Sequence, residues 1–314
     1  MRYFLIMNPG SDGGKSQKKC NKILATLIKK GINFDHELTN TLEDAYHLSI
    51  QANEKGYDVI IAVGGDGTIN RVLNGFYDSE GRRNSDAKLA VIHTGTSPDF
   101  CKSYGISLEI NRALETVLVG NSTKILPGKI TYTSLSDGSL ATSYFACCAN
   151  FGLGAAVARI ANGGVRNYLG DFLGTFYALL HTLFNYHPNS FTVSLDGQER
   201  QLEKVYNISV GKTTYIASGI KVHNDLSSKD TRFYNLIVQD PGWYGWLGVI
   251  RKIYSGKSFT NDKSMTLLYA EVIEVCGNPK NAEVEFDGDP RGLLPCMIEA
   301  AREPLELICE VHDG

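Results

Sequence analysis

Val59-Ile60-Ile61-Ala62-Val63-Gly64-Gly65-Asp66-Gly67-Thr68 is the stretch on which the fold turns. Five apolar residues without alternation read as a central parallel strand covered on both faces. Three glycines in the next five residues let the backbone approach a polyanion, and helical spacing resumes at once with Ile69, Val72, Leu73 and Phe76. Strand, glycine turn and helix in that order make one unit of an open α/β sheet, which takes its ligands beyond the carboxyl ends of its strands. The turn is not G-x-G-x-x-G, so the dinucleotide fingerprint is absent. An acid among such amides, Asp66, makes sense where a divalent cation neutralises it together with phosphates.

The same grammar extends to both sides. Arg2 to Met7 reads as a buried strand, followed by Asn8-Pro9-Gly10-Ser11-Asp12-Gly13-Gly14-Lys15-Ser16. That loop contains Gly-Lys-Ser, but it is one residue short of a Walker A loop from Gly10, with Pro9 where the first glycine belongs. Cys20, Ile23, Leu24, Leu27 and Ile28 then mark one face of a helix ending at Gly31, and Thr41 with Asp44 resembles a capping box for a second helix, closed by Gly56. Leu89 to Ile92 is a further strand, Thr94-Gly95-Thr96-Ser97-Pro98-Asp99-Phe100 a third turn before a helix, and Ala113, Leu114, Val117 and Leu118 another helical stripe. Strand–helix alternation predicts a parallel sheet with helices on both faces.

From about residue 125 the texture changes. Phe191-Val193-Leu195 and Ala282-Val284-Phe286 alternate with polar residues, and Ser136-Asp137-Gly138, Asp196-Gly197 and Asp287-Gly288 are turn signals between such runs. One helical segment, about Tyr168 to Tyr186, interrupts them. The expected fold is therefore an N-terminal open parallel α/β three-layer domain and a C-terminal antiparallel β-sandwich domain, with the active site in the cleft between them. The expected boundaries are 1–125, with residues 298–314 a candidate return to that domain, and 126–297.

The chain has 314 residues, 43% of them hydrophobic and 21% charged, which suits two packed domains and excludes a disordered or low-complexity protein. A net charge of -3 gives no reason to seek nucleic acid. The seven cysteines, at 20, 101, 147, 148, 276, 296 and 309, show no C-x-x-C pair and read as buried free thiols of a reducing compartment. The amino terminus has too few apolar residues for a signal peptide, and the longest apolar stretch, Phe172 to Phe184, falls short of a bilayer span. The expected location is the cytoplasm, with peripheral contact at the inner membrane surface left open, as is a homodimer.

Taken in order, these segments resemble the diacylglycerol kinase catalytic-domain family, whose bacterial members are lipid kinases related to sphingosine kinases and more distantly to NAD kinases. The resemblance rests on Asn8, Pro9 and Gly10, on Gly64 to Thr68, on Asn74 and Gly75, and on the Gly-Thr-x-x-Asp-Phe turn met by Gly95, Thr96, Asp99 and Phe100. Phe151-Gly152-Leu153-Gly154, Gly219, Asp230, Phe233 and Asp287-Gly288-Asp289 continue it, the last standing where the family has Asp-Gly-Glu. The sequence departs from the family at Arg71 (usually Glu), Ser97 (Gly), Pro98 (Asn) and Asp289 (Glu). It also has Lys229-Asp230 where an ancillary magnesium site uses two acids, which leaves Asp230 as half of such a site.

The resemblance implies ATP and Mg²⁺ as cofactors. Asn8, Pro9, Gly10, Thr39, Gly64, Gly65, Gly67, Thr68, Gly95 and Thr96 would bind ATP, and Asp66 would act through Mg²⁺ on its phosphates. Asp99 would lie on the substrate side, and Asp289 would take the proton from the hydroxyl of diacylglycerol or a similar lipid. The alternatives are an NAD kinase-like or other small-molecule kinase, and a non-catalytic nucleotide- or lipid-binding relative, to which Arg71, Pro98 and Asp289 would belong. Lys15 is a further candidate for phosphate. Two segments suit a lipid surface: Pro241 to Leu247, with both tryptophans and followed by Arg251, Lys252 and Lys257, and the aromatic run Tyr168 to Phe184, which could instead line an acyl channel.

Overall fold

The computed structural model describes residues 1–310 except 218, 257–262 and 279–281, and omits the side chains of residues 162, 166, 167, 171, 172, 243 and 278. Lys257 and the Trp243 side chain thus lie outside the described residues. The chain forms two compact units, one of Met1–Leu126 with the chain from Ala301, the other of Pro127–Ala300.

The first unit runs β1 (Tyr3–Met7), α1 (Ser16–Lys29), β2 (Phe34–Leu38), α2 (Leu42–Glu54), β3 (Val59–Gly64), α3 (Asp66–Asn74), β4 (Lys88–His93), α4 (Asp99–Ser103), α5 (Ile110–Val119) and β5 (Ser122–Ile125). Its sheet has the order β2-β1-β3-β4, then the strand Leu305–Ile308, then β5; the pairings are parallel except at β5. Strands β1 and β3 are buried throughout, as their unbroken apolar runs require. Helix α1 buries Ser16, Cys20, Ile23 and Leu27 at 4-3-4 spacing; Ile28, expected on that stripe, is exposed. The capping box is present: Thr41 Oγ1 accepts from the Asp44 amide at 3.2 Å while Asp44 accepts from the Thr41 amide at 2.9 Å. The amides of Thr41 and Asn40, both donating to Asp44, hold its carboxyl below the ordinary range. The chain crosses to β2 on one side of β1 and to β3 on the other. The β1/β3 boundary is therefore the switch point where an open α/β sheet leaves a crevice at its carboxyl edge.

The second unit is an antiparallel β domain with a helical cover. Its elements are β6 (Gly128–Ser134), β7 (Leu140–Phe145), β8 (Cys148–Gly152), α6 (Leu153–Ile160), α7 (Arg166–Leu169), α8 (Asp171–Asn185), β9 (Asn189–Leu195) and β10 (Gln198–Gly211). Then follow β11 (Tyr215–Ile216), β12 (Ile220–Lys221), β13 (Phe233–Gln239), α9 (Gly242–Ser255), β14 (Met265–Ala270), β15 (Ile273–Asn278), β16 (Glu283–Phe286) and β17 (Asp289–Ala300). The order β14-β13-β10-β8-β16-β17-β15-β9, with β9 also paired to β10, closes six strands into a ring. Long β10 and β17 carry register shifts where they pass from one partner set to the next, the usual device for turning a strand between two layers.

Phe145, Phe151, Phe191, Phe233 and Phe286 fill the interior with aliphatic neighbours. A second cluster, including Leu153, Leu179, Tyr234, Trp246 and Met265, lies beneath the helices. The single helical interruption expected from sequence becomes two insertions, α6 to α8 and α9. The second eluded the periodicity because three glycines and outward-facing Tyr244 and Leu247 blur its apolar stripe. Among the described residues no helix is long and apolar enough to cross a membrane. All seven cysteines are free thiols, and Cys276, expected to be buried, is exposed.

Candidate active site

The three turns of the first unit meet at the carboxyl ends of β1, β3 and β4. The Asn8 amide donates to the Val63 carbonyl at 2.8 Å, and the Thr94 amide to Gly64 at 2.8 Å, so each loop starts from a fixed strand end. Asn8 Nδ2 donates to Thr68 Oγ1 at 2.9 Å. Gly64 is forced by this arrangement, since a Cβ there would sit 2.5 Å from the Thr68 side chain. Gly65 and Gly95 meet backbone to backbone: a Cβ on Gly95 would come 2.4 Å from Gly65 Cα and 3.2 Å from Ser11 Oγ. Asn8, Pro9, Ser11, Gly65, Asp66, Gly67, Gly95 and Thr96 are half-buried, Gly10 is exposed, and Thr39 is buried after β2, its amide bonded to Met7 at 2.9 Å.

Asp66 opens α3 directly after Gly65, where helix amides face outward. Its Oδ2 accepts from the Asp99 amide at 3.1 Å, joining the second turn to the third. His93 Nε2 donates to the Ser97 carbonyl at 2.8 Å and lies 3.9 Å from Asp66 Oδ1. Burial, and then the charge of Asp66, push the nearby Cys101 thiol far up. His93 and Lys19 carry no motif in the sequence, and Ser16 is the serine of the Gly-Lys-Ser that falls short of a Walker A loop. Ser16 Oγ and Lys19 Nζ both donate to the Thr94 carbonyl, at 2.8 and 3.0 Å, whereas Lys15 is exposed. Arg71 pairs with Glu43 at 2.8 Å. Asn74 and Gly75 serve packing: a Cβ on Gly75 would strike Ser49 of α2.

In the second unit Asp287 and Gly288 turn the β16–β17 hairpin, both at positive φ (48° and 86°), a two-residue type I′ geometry. The Asp287 carboxylate accepts from the amides of Ala146, Cys147 and Cys148 at 2.9, 2.9 and 3.2 Å. Buried Glu285 accepts from Asn150 Nδ2 at 2.6 Å and from the Gly288 amide. The turn is thus anchored, and it delivers Asp289 as the first residue of β17. Arg291 Nε donates to Asp289 Oδ2 at 3.1 Å, and the guanidinium lies over the Phe286 ring.

Asp230 is engaged by Arg232, through Nε at 3.0 Å and a terminal nitrogen at 2.8 Å, which holds its carboxyl below the ordinary range. Nearby Lys212, unmarked in the sequence, is buried over Phe233 and donates to the Asp230 carbonyl at 2.5 Å; burial pushes its ammonium down to about 8. Among the described residues no three His, Cys, Asp or Glu side chains gather as a metal cluster.

Residues 2–130 match the sequence profile of the family described as "Diacylglycerol kinase catalytic domain", and residues 148–309 that of the "YegS C-terminal NAD kinase beta sandwich-like domain". The chain is 26% identical over 294 residues to a protein named "Diacylglycerol kinase" from Staphylococcus aureus (strain bovine RF122 / ET3-1), covering 94% of this chain and 88% of that one. A putative diacylglycerol kinase from Bacillus anthracis str. Sterne has the same fold, with a TM-score of 0.74 at 20% identity, over 98% of this chain and 97% of that one. Yeast NADH kinase, solved in complex with NADH, gives 0.54 at 8% identity over 100% and 84%.

Proposed function

Because the chain belongs to the diacylglycerol kinase family, its catalytic-domain profile followed by that family's NAD kinase-like β domain, we propose that it is an ATP- and Mg²⁺-dependent lipid kinase. The acceptor we assign is the hydroxyl of diacylglycerol or a similar lipid. The observation that carries this reading is the contact of Gly65 with Gly95 beside Ser11, with Asp66 at the start of α3 just behind it. Bare backbone at the mouth of a switch-point crevice suits a polyphosphate, which needs amides at close range and no side chain between.

On this reading the amides of Gly64 to Gly67 and the loop from Asn8 to Gly10 hold the phosphates, with Thr96 and Thr39 as hydroxyl contacts. Thr68, whose hydroxyl accepts from Asn8, contributes by locking two loops together. Mg²⁺ bound through a single carboxylate and substrate phosphates needs no larger cluster than Asp66 provides, so the donor fits it, and the Asp99 amide that donates to Asp66 Oδ2 orients that carboxylate. When bound, the ion neutralises charge developing on the transferred phosphoryl group. Asp289 takes the acceptor hydroxyl proton as the acceptor oxygen bonds to the γ-phosphorus and the bridging β–γ bond breaks, releasing ADP. Arg291 holds one oxygen of Asp289, which fixes the direction of the base.

The test is incubation with labelled ATP, Mg²⁺ and mixed micelles holding diacylglycerol, sphingosine-like and monoacyl lipids, with NAD as a soluble acceptor in parallel. A labelled lipid, lost in Asp66→Ala with the fold intact, is the expected result. Label on NAD alone, or ATP binding without any transfer, overturns the lipid assignment.

A further inference from the structure

A row of polar side chains crosses the β sheet of the second unit on the face that α6 covers. The register sets Ser209 of β10 against Asn150 of β8, and Asn150 against Glu285 of β16. Their chain neighbours Ile208, Val210, Ala149, Phe151, Val284 and Phe286 fill the hydrophobic interior. By strand alternation the three polar residues therefore face the other way, and all three are buried. The row is directional. The Gly154 amide, near the start of α6, can only donate, and it does so to Asn207 Oδ1 at 2.7 Å. That turns Asn207 Nδ2 toward Ser209 Oγ, to which it donates at 2.9 Å. Ser209 Oγ donates to Asn150 Oδ1 at 2.6 Å, and Asn150 Nδ2 to Glu285 Oε2 at 2.6 Å. Glu285 Oε1 accepts from the opposite side, from the Gly288 amide. Each of these donors points toward Glu285, and a carboxylate is the group that accepts at both of its atoms. The row also leaves α6 no space for a side chain at Gly154, where a Cβ would stand 2.9 Å from Asn207 Oδ1.

We propose that Glu285 is a positioning residue for Asp289, holding the hairpin turn so that the base presents its carboxylate in one direction. The inference rests on the assignment of Asp289 as the base. Gly288 directly precedes Asp289, so the bond from its amide to Glu285 fixes the peptide that carries the base. The type I′ turn and the three amides held by Asp287 account for the hairpin itself. A buried acid three residues before the base adds a desolvation cost that forming the turn does not require. Opposite Glu285 the β16–β17 ladder also slips. Val284 faces Gly292 and Glu285 faces Pro290, which leaves Arg291 as the extra residue of a bulge. Arg291 is the side chain that donates to Asp289 Oδ2. The base and its arginine thus lie on an irregular stretch of β17, and Glu285, pinned by the polar row, is the fixed point across from it.

The experiment compares Glu285→Gln, Asn150→Asp/Glu285→Gln, Asp289→Asn and Asp289→Asn/Glu285→Gln with the parent chain, using ATP, Mg²⁺ and diacylglycerol micelles. Glu285→Gln keeps the shape but sets an NH₂ group against either Asn150 or the Gly288 amide. Its kcat should fall about tenfold to a hundredfold, with KM for ATP and lipid near the parent values. Asn150→Asp/Glu285→Gln moves the carboxylate one strand over and gives every donor an acceptor again, so it should recover most of kcat. In the Asp289→Asn background Glu285→Gln should lower the residual rate no further. Hydrogen exchange of residues 286–289, read by mass spectrometry without substrate, should quicken in Glu285→Gln and slow again in the paired variant. Thermal unfolding checks each chain, and the paired variant is read even where Glu285→Gln alone does not fold. Parental kcat or unchanged exchange in Glu285→Gln overturns the inference, as does a paired variant that stays impaired or a further loss in the Asp289→Asn background. An inactive Asp289→Asn beside a parental Glu285→Gln overturns the inference alone, whereas a fully active Asp289→Asn overturns the base assignment beneath it.

Discussion

Asp287 and Asp289 stand two residues apart and are used in opposite ways. Asp287 gives its carboxylate to three backbone amides at the start of β8. Its replacement by alanine leaves those donors without their acceptor, and we expect a loss of about 2–4 kcal/mol in urea unfolding. Asp289 meets a side chain, Arg291, and is the assigned base. Asp289→Asn should leave the unfolding midpoint near the parent value and lower lipid phosphorylation by about two to four orders of magnitude. A fully active Asp289→Asn enzyme would falsify the base assignment.

Lys212 makes a pH-dependent prediction. Its ammonium is pushed from 10.5 to about 8, first by burial, with Asp230 pulling the other way. The folded chain therefore holds this proton less tightly than the unfolded chain. Below pH 8 both carry it and the desolvation cost is present in full; between about 8 and 10.5 only the unfolded chain does, so stability rises with pH through that window. The unfolding free energy of the parent relative to Lys212→Met, from urea titrations, should climb across it by on the order of 2 kcal/mol. A flat difference would mean the amine is more solvated than its burial indicates.

At the scale of elements, the site is a junction of three strand-to-helix turns, and its tolerance is set by backbone contact. Gly95→Ala would push a methyl group into Gly65 Cα, separating the second and third turns. We expect ATP affinity, by calorimetry, to fall at least about tenfold while secondary structure by circular dichroism is retained. The same contact explains what could be read in advance. The β3 strand, its glycines and α3 are local features, and local pattern determines them. So are the Thr41–Asp44 box and the Asp287-Gly288 turn, whose chemistry is complete within four residues. Lys19 and His93 were illegible for the converse reason. Each acts through a partner on another element or across a turn, and nothing in a helix-face lysine or a strand-end histidine announces that partner. Strands β10 and β17 were only partly legible, because each changes partners midway and the alternation of burial shifts with them. Helix α9 was read as a patch of composition, and that composition is what its outer face displays.

At the scale of the molecule, the chain leaves the first unit at Leu126 and returns to it at Ala301. The returning strand Leu305–Ile308 lies between β4 and β5, with Leu305, Leu307 and Ile308 buried. Without it β5 has no neighbour and β4 has an open edge. A chain stopped at Ala300 should therefore lose ATP binding and show early unfolding of the first unit. The antiparallel ring, whose strands all lie before that point, should persist as a separate transition in calorimetry. A truncated chain that binds ATP like the parent would show the returning strand to be dispensable.

The position of that strand also orders events at the ribosome. Strands β1 to β5 emerge first, yet their sheet cannot be completed until all of Pro127–Ala300 has been translated, which at about 5–20 residues per second takes on the order of ten to thirty seconds. For that interval the nascent chain carries an unpaired edge of apolar strand beside its glycine loops. The unit whose strands are made first is thus the unit completed last, and on the proposed function the chain would acquire its grip on nucleotide only after its β domain has been made.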